Sequence, residues 1–164
     1  MAELVVLGYS DEPTAQLVYA KVVELQRDRL VDGMAVTVAR STDGRITVTT
    51  PTGPVGPMGA GAAGGALLGG LLGLLFFVPI GGLIVGGVLG ALVGRAAEMG
   101  IDDEFRSRVQ DGVKPGMSAV VIVFHHLPPD RALAALAPYG GRLLRTTLTE
   151  AAEAEIEQAM ALAG

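Results

Sequence analysis

The pattern of apolar and polar positions in the first 50 residues predicts three strands and one helix. Residues 4–7 form a short, β-rich apolar run that is typical of a buried strand. A helix is expected to begin at Ser10 or Asp11, with Pro13 tolerated in its first turn. Its apolar positions recur at helical spacing, at Ala15, Val18, Val22 and Leu25. Residues 34–40 and 45–50 then alternate on either side of Asp43-Gly44, which predicts a β-hairpin.

Residues 51–58 are rich in proline and glycine and predict a linker without regular structure. From residue 59 to 98 the chain is apolar, and glycine recurs every fourth position in two runs. The runs are Gly61, Gly65, Gly69 and Gly73, and then Gly82, Gly86, Gly90 and Gly94. Residues four apart share one face of a helix, so each run presents a strip of bare backbone to which another helix can pack closely.

The segment between the two runs is Phe76, Phe77, Val78, Pro79 and Ile80. Pro79 breaks a helix, so the pattern predicts a glycine-zipper helical hairpin with these five residues at its tip. The tip is also the segment expected to insert into a membrane.

Glycine content indicates which surroundings the hairpin needs. Residues 61–94 contain twelve glycines, which at about 1 kcal/mol each would cost an isolated hairpin in water about 12 kcal/mol of helix propensity. Lipid enforces internal hydrogen bonding, and close helix packing adds compensation. No charged residue lies between Arg45 and Arg95, so a membrane location is expected. Two full spans, a re-entrant hairpin and a hairpin buried in a soluble assembly all fit the pattern.

The sequence after Gly100 again reads as globular. A helix is expected at 102–112, with Asp102, Asp103 and Glu104 at its positive end. Residues 118–124 predict a buried strand, 129–138 a helix, 142–147 a strand and 150–162 a closing helix. The predicted fold class is α+β: a ferredoxin-like βαββαβ-type domain interrupted by the glycine-zipper hairpin, with a C-terminal strand-helix extension. The predicted boundaries are 1–50 and 99–164 for the two parts of the α+β domain, 51–58 for the linker and 59–98 for the hairpin.

Composition narrows the classes of function. The chain has 164 residues, is 50% hydrophobic and carries a net charge of −5 without clustered Lys and Arg, so we expect no nucleic-acid partner. It has no cysteine, which removes disulfides and thiolate chemistry. The first residues have no basic region before an apolar run, and basic residues flank the hairpin on both sides, so the α+β domain is expected on the cytoplasmic side of the inner membrane.

Candidate catalytic and ligand motifs are weak. Residues 59–64 match G-x-G-x-x-G but follow a linker rather than a strand, and no acid occurs until Glu98. His125 and His126 are neighbours on a predicted strand and point to opposite faces, which disfavours a shared metal. The acids at 102–104 are explained by helix capping. We therefore predict no catalytic residue, metal, cofactor or small-molecule ligand.

Five blocks of sequence resemble the bacterial family of unknown function numbered 1269. They are VVLGYSDEPTA, VPIGGLIVGGVLGALVG, GIDDEF, PGMSA and GGRLLRTTLTE, at residues 5–15, 78–94, 100–105, 115–119 and 140–150. The resemblance covers nearly the whole chain and implies a predicted membrane protein, in some members linked to general stress responses. It implies no reaction and no catalytic residues.

The expected function is that of a non-enzymatic, membrane-associated homo-oligomer, in which the expected partners are other copies of the chain and the lipid bilayer. Two alternatives remain open. One is a soluble homo-oligomeric scaffold with the hairpins packed in a shared apolar core. The other is a pore or transport component, although no ionisable or amide side chain lies between residues 53 and 94 to line a water path.

Overall fold

An antiparallel sheet organises the part of the chain that the computed structural model describes, which comprises residues 3–40, 42–43, 46–50, 53–55, 75, 97–125, 129–151 and 154. In chain order the elements are β1 Glu3–Tyr9, α1 Glu12–Arg27, β2 Gly33–Arg40, β3 Ile46–Thr50, β4 Gly53–Val55, α2 Asp103–Gly112, β5 Ser118–Phe124, α3 Pro129–Leu136 and β6 Arg142–Thr147, with a 3₁₀ turn at Ala137–Tyr139 before β6. The α+β class predicted from the sequence is confirmed.

The strands of this sheet lie in the order β4-β3-β2-β5-β1-β6. β5 is antiparallel to both β1 and β2, so β1 and β2 are parallel with β5 between them. Similarly, β1 is antiparallel to both β5 and β6, so those two strands are parallel with β1 between them. Helix α1 therefore connects one pair of parallel strands and α3 connects the other, each across an intervening strand.

Helix α1 forms where the sequence predicted it. The Asp11 side chain accepts a hydrogen bond from the Thr14 backbone N–H at 2.7 Å and caps the first turn, which also contains Pro13. The buried positions of the helix are the four that recur at helical spacing, from Ala15 to Leu25. This stripe packs on the sheet face that carries Val5, Leu7 and Tyr9, here called the α1 face.

Helix α2 lies on the opposite face, here called the α2 face. Asp102 caps it by accepting a hydrogen bond from the Phe105 N–H at 2.8 Å, and Asp103 and Glu104 occupy its first turn, as predicted. Its C-terminal end lies against β1, where a Cβ atom added to Gly8 would lie 3.1 Å from the Gly112 carbonyl oxygen. Glycine at position 8 therefore permits the close approach of helix and strand.

The main core fills the space between the α1 face and the helices α1 and α3. Strand residues of β1 and β5 supply its floor, and α3 contributes Ala132 and Leu136. Arg145 of β6 bonds both Glu3 and Asp130 at 3.2 Å, which ties the start of α3 to the sheet edge. Both pairs are partly exposed, so each stabilises the fold by less than about 1 kcal/mol.

The structure differs from the predicted linker at Gly53–Val55. These residues pair with β3, with Val48 opposite Val55 and Thr49 opposite Pro54. Proline has no N–H to donate to a strand ladder, but it is accepted in an edge strand, where one side needs no partner. The short strand β4 occupies that position in the described part of the sheet.

One role assigned from the sequence needs correction. The strand at 142–147 was expected to be an extension, but β6 pairs with β1 from Glu3 to Gly8 and belongs to the sheet. Chain order does not determine which strands pair, because backbone ladders form between any strands that packing brings together. Of the predicted closing helix, the structure describes Glu150, Ala151 and Ala154, which are helical.

Candidate functional site

The residues predicted to carry function lie outside the part of the chain that the structure describes. These are the eight zipper glycines from Gly61 to Gly94 and the five tip residues from Phe76 to Ile80. Leu75, immediately before the tip, is described; it is helical and fully buried. Among the described residues, no helix combines the length and apolar character needed to cross a bilayer.

The ends of the apolar segment are held at two corners of the sheet. Before it, Val55 ends β4 at one edge, opposite Val48. After it, Gly100 lies against β6 at the other edge, where its carbonyl oxygen accepts a hydrogen bond from the Thr146 hydroxyl. Gly100 has φ +89°, and a Cβ atom there would collide with the Thr147 carbonyl oxygen, so this approach requires glycine.

The pairing registers give the separation of these corners. Val55 lies level with the start of β6, whereas Gly100 contacts its end. Five inter-strand steps of about 4.8 Å and five residues of about 3.3 Å place the corners roughly 30 Å apart along the diagonal. The chain thus enters and leaves the apolar segment at diagonally opposite corners of the described sheet.

The candidate metal ligands do not form a site in the described residues. His125 is half-buried at the end of β5, and its backbone N–H donates to the Asp32 carbonyl oxygen at 2.9 Å. His126 lies outside the described residues. Within those residues, no group of three or more His, Cys, Asp or Glu side chains could hold a metal ion.

The structure instead reveals an apolar cleft on the α1 face, which sequence reasoning missed. It has a volume of about 250 Å³. It lies between the end of β1, the start of β6, helix α3 and the turn that follows α3. Its wall is formed by Leu7, Tyr9, Leu133, Leu136, Ala137, Gly140, Gly141 and Leu143. Leu7, Tyr9 and Leu136 form a buried floor, whereas Leu143 is 45% exposed at the mouth. The cleft therefore opens to the surface.

Local backbone geometry shapes this cleft. Leu143 is paired with Leu7 across the two strands, so both side chains lie on the α1 face. Gly141 has φ +92°, and a Cβ atom there would lie 2.6 Å from Cε1 of Tyr9. The tyrosine ring can lie under the turn because residue 141 has no side chain.

Tyr9 is the one wall residue of the cleft with a polar side-chain atom. The residue is 3% exposed, and its hydroxyl has no hydrogen-bond partner among the described residues. Burial raises the pKa of Tyr9 to about 12, because the phenolate would lose its hydration there. Tyr9 is thus an uncharged hydrogen-bonding group at neutral pH.

The other two tyrosines of the chain pack against the same core. The Tyr19 hydroxyl is also buried without a partner in the described structure, and burial raises its pKa. Nearby, the hydrogen bond from Lys21 to Glu24, at 3.0 Å, raises the pKa of the lysine, with a smaller contribution from Tyr139. Two features of the sequence could have indicated this region. One is a tyrosine on the inward face of an otherwise aliphatic strand, and the other is a Gly-Gly pair directly before another strand.

Comparison with known proteins gives a family. The model of the family described as Protein of unknown function (DUF1269) matches residues 62–161, which is more than half of the chain. No curated protein and no solved structure matches the sequence. The match includes most of the glycine-rich segment as well as α2, β5, α3 and β6. The chain therefore belongs to the DUF1269 family of proteins of unknown function.

Proposed function

We propose that this protein is a non-enzymatic, membrane-associated homo-oligomer whose subunits assemble through the glycine-zipper helices of residues 59–98. The observation that carries the proposal is the pair of four-glycine runs, because close-packed strips of small residues serve helix association in membranes. The α+β domain would lie on the cytoplasmic side of the inner membrane. A role in stress responses stays a prediction from the family resemblance.

The attachment of the apolar segment supports this arrangement. A close-packed helix pair has axes about 8–10 Å apart, so its connections must bridge about 20 Å of the diagonal between Val55 and Gly100. Residues 56–60 can span up to about 17 Å when extended, and residues 95–99, of which Ala97 and Glu98 are helical, add about 7 Å at the rise of a helix. The sheet corners therefore leave enough chain for a hairpin, and they tie both of its ends to the same sheet.

We also propose that the α+β domain has a ferredoxin-like core, built from β1-α1-β2 and β5-α3-β6. Its support is the strand order β6-β1-β5-β2, with both crossover helices packed on the α1 face. In this arrangement β3, β4, the apolar segment and α2 form one long insertion between β2 and β5. A solved structure with β6 away from β1 would contradict it.

Assembly through the zipper is tested by replacing a glycine on the strip with leucine. Gly69→Leu and Gly90→Leu should lower the oligomer size measured by light scattering coupled to size exclusion, because the leucine keeps the partner helix away. Gly70→Leu and Gly87→Leu make the same chemical change beside the strip, about 100° around the helix from Gly69 and Gly86 and about 60° from Gly73 and Gly90. They are the matched controls and should lower the size less than the strip variants do. Unchanged size in both strip variants would refute zipper assembly.

Membrane association is tested by an alkaline carbonate wash of cell membranes, followed by sizing of the fraction that holds the protein. Retention in the membrane, with release by detergent, is the expected result. Release as a large particle without detergent would contradict the proposal.

A soluble assembly is the second candidate, and one described residue favours it. Leu75, which immediately precedes the tip, is fully buried within a single chain. A residue that its own chain buries at this place fits an apolar segment packed against protein. In that case the carbonate wash would release a discrete oligomer, and the two strip variants would still reduce its size.

A further inference from the structure

We propose that the first zipper helix docks its leucine side, formed by Leu67, Leu71 and Leu75, on the α2 face of the sheet in its own subunit. The docking rests on the proposed function in one respect, the helical state of residues 61–77. It goes beyond that function, because it assigns a partner to the side of the helix that the zipper does not use. The glycine strip is left to pack with other helices.

The α2 face is apolar and is covered within a single chain. Val5 and Leu7 of β1 lie on the α1 face, so the residues that alternate with them lie on the α2 face, together with their partners on β5 and β2. Six of these residues are at most 1% exposed: Leu4, Val6, Val121, Val123, Val36 and Val38. A layer of the same chain therefore lies over β1, β5 and β2.

Helix α2 supplies one side of this cover. It packs against β6 and β1. A helix is about 10 Å wide and neighbouring strands are about 4.8 Å apart, so one helix covers about two strands. Helices α1 and α3 lie on the other face of the sheet. The residues of β5 and β2 on the α2 face therefore need a second element above them.

Residues 59–98 have the position and the length for that second element. They follow Val55 of β4 at one edge of the sheet and lead to Gly100 beside β6 at the other edge. Strands β3, β2, β5 and β1 lie between these two points. A helix of residues 61–77 would be about 25 Å long, against about 23 Å for the seven-residue strands β1 and β5.

The chemistry of this helix also matches the face that it would cover. Residues 61–77 contain only Gly, Ala, Leu and Phe, so they can lie over valine side chains without burying an unpaired polar side chain. The predicted closing helix at 150–162 carries four glutamates and would bring negative charge towards the same surface. Residues 61–77 are thus the better occupant.

Leu75 indicates which side of the helix faces the domain. Each leucine of the leucine side follows a glycine of the strip by two positions, which is about 200° around a helix. The leucine side is therefore opposite the glycine strip. Leu75 is helical and 0% exposed within a single chain. At Leu75 the subunit itself buries the leucine side, so the glycine strip is directed away from the surface that covers it.

Disulfide cross-linking of the full-length protein tests the docking, because the chain has no cysteine of its own. Val121→Cys, in the middle of β5, is combined in turn with Leu67→Cys, Leu71→Cys and Leu75→Cys. A disulfide needs Cα atoms within about 7 Å of each other, so at least one of the three pairs should cross-link within the chain. The product should run as a monomer whose tryptic fragments, cut at Arg95, stay joined until reduction.

Val120→Cys, at the preceding residue of β5, is the matched control. Val120 is as buried as Val121, but it belongs to the core on the α1 face. Its side chain points away from the proposed helix, so its pairs with the same three cysteines should cross-link with less than about a fifth of the yield.

Single-cysteine variants keep the docking testable if a double variant fails to fold. Cysteine behaves as a small apolar residue in buried sites. Val36→Cys and Val121→Cys should each react with N-ethylmaleimide at least about a hundred-fold more slowly in the native protein than in urea. If both react as fast as in urea while Val120→Cys stays protected, the α2 face is open and the proposal is overturned.

The cross-linking itself can overturn the docking in three ways. One is the absence of a cross-link from all three leucine positions in variants that keep the native circular dichroism spectrum. Another is a disulfide that joins two chains, which would place a second copy on the face. The last is equal yield with Val120→Cys and Val121→Cys. Oligomer size does not enter these readouts, so a failure of zipper assembly in the strip variants is a separate result.

Discussion

Replacing Tyr9 by phenylalanine should stabilise the protein, although tyrosine and phenylalanine differ by a single hydroxyl. The Tyr9 ring is 3% exposed, and the hydroxyl has no partner in the described structure. A buried polar group without a hydrogen bond costs about 1–3 kcal/mol. Removing it should therefore raise the free energy of unfolding by about 1 kcal/mol, which in a protein of this size is about 2–4 °C in Tm.

The effect should grow at alkaline pH, and its sign follows from the raised pKa. The pKa of Tyr9 is about 12 in the folded protein, against the ordinary value of 10.0. The folded state therefore holds the proton more tightly than the unfolded state. This contribution to stability is complete below pH 10 and is lost as the pH rises through 12. At pH 11 the wild type should already have lost about 1.4 kcal/mol that the phenylalanine variant does not lose.

The assay is urea unfolding followed by far-UV circular dichroism at pH 8 and pH 11, in the buffer or detergent that keeps the protein monodisperse. The difference in unfolding free energy between Tyr9→Phe and the wild type should be about 1 kcal/mol at pH 8 and about 2–3 kcal/mol at pH 11. Tyr139→Phe, at a half-buried residue, is the control and should change stability little. If Tyr9→Phe lowers stability at pH 8, the hydroxyl has a partner and the reasoning is refuted.

Two further predictions concern single backbone positions. Gly141→Ala should destabilise the protein more than Gly140→Ala by about 1–3 kcal/mol in urea unfolding. Both glycines have positive φ, but a Cβ atom at 141 would meet the Tyr9 ring, whereas nothing lies within 4 Å of one at 140. Equal losses of stability would show that the Tyr9 ring moves aside. Arg29→Gly should stabilise the protein by up to about 1 kcal/mol, because Arg29 has φ 57°, a conformation that glycine adopts more easily. The position is a helix end, where the N–H groups of residues 29 and 30 donate to the carbonyls of Gln26 and Leu25. A lower urea midpoint would show that the arginine side chain stabilises the fold.

Local features of the fold were predictable from the sequence. The caps at Asp11 and Asp102 each act over three residues, and both form where the sequence predicted them. The helical stripe of α1 and the apolar run of β5 also follow from periodicity alone. These features depend on neighbouring residues, so they can be read without knowledge of the rest of the chain.

The zipper hairpin stays a prediction, because its glycines lie outside the described residues. Its basis is again local: a four-residue glycine period, a long uncharged stretch and a central proline. The periodicity indicates what such a helix could pack against, but not whether that neighbour is lipid, the sheet of the same subunit or a second copy.

What the sequence determined by itself is therefore the type and position of most elements, the identity of the helix caps, the contrast between an apolar segment and a globular remainder, and the family. The tertiary structure alone decided that β6 pairs with β1, that α2 lies on the other face from α1, that Gly53–Val55 adds an edge strand, and that Tyr9 is buried beside a cleft. The physical reason is that periodicity and capping are set by residues a few positions apart, whereas backbone ladders carry almost no sequence information. Which strands pair, and which hydroxyl is left without a partner, depends on how distant surfaces pack together.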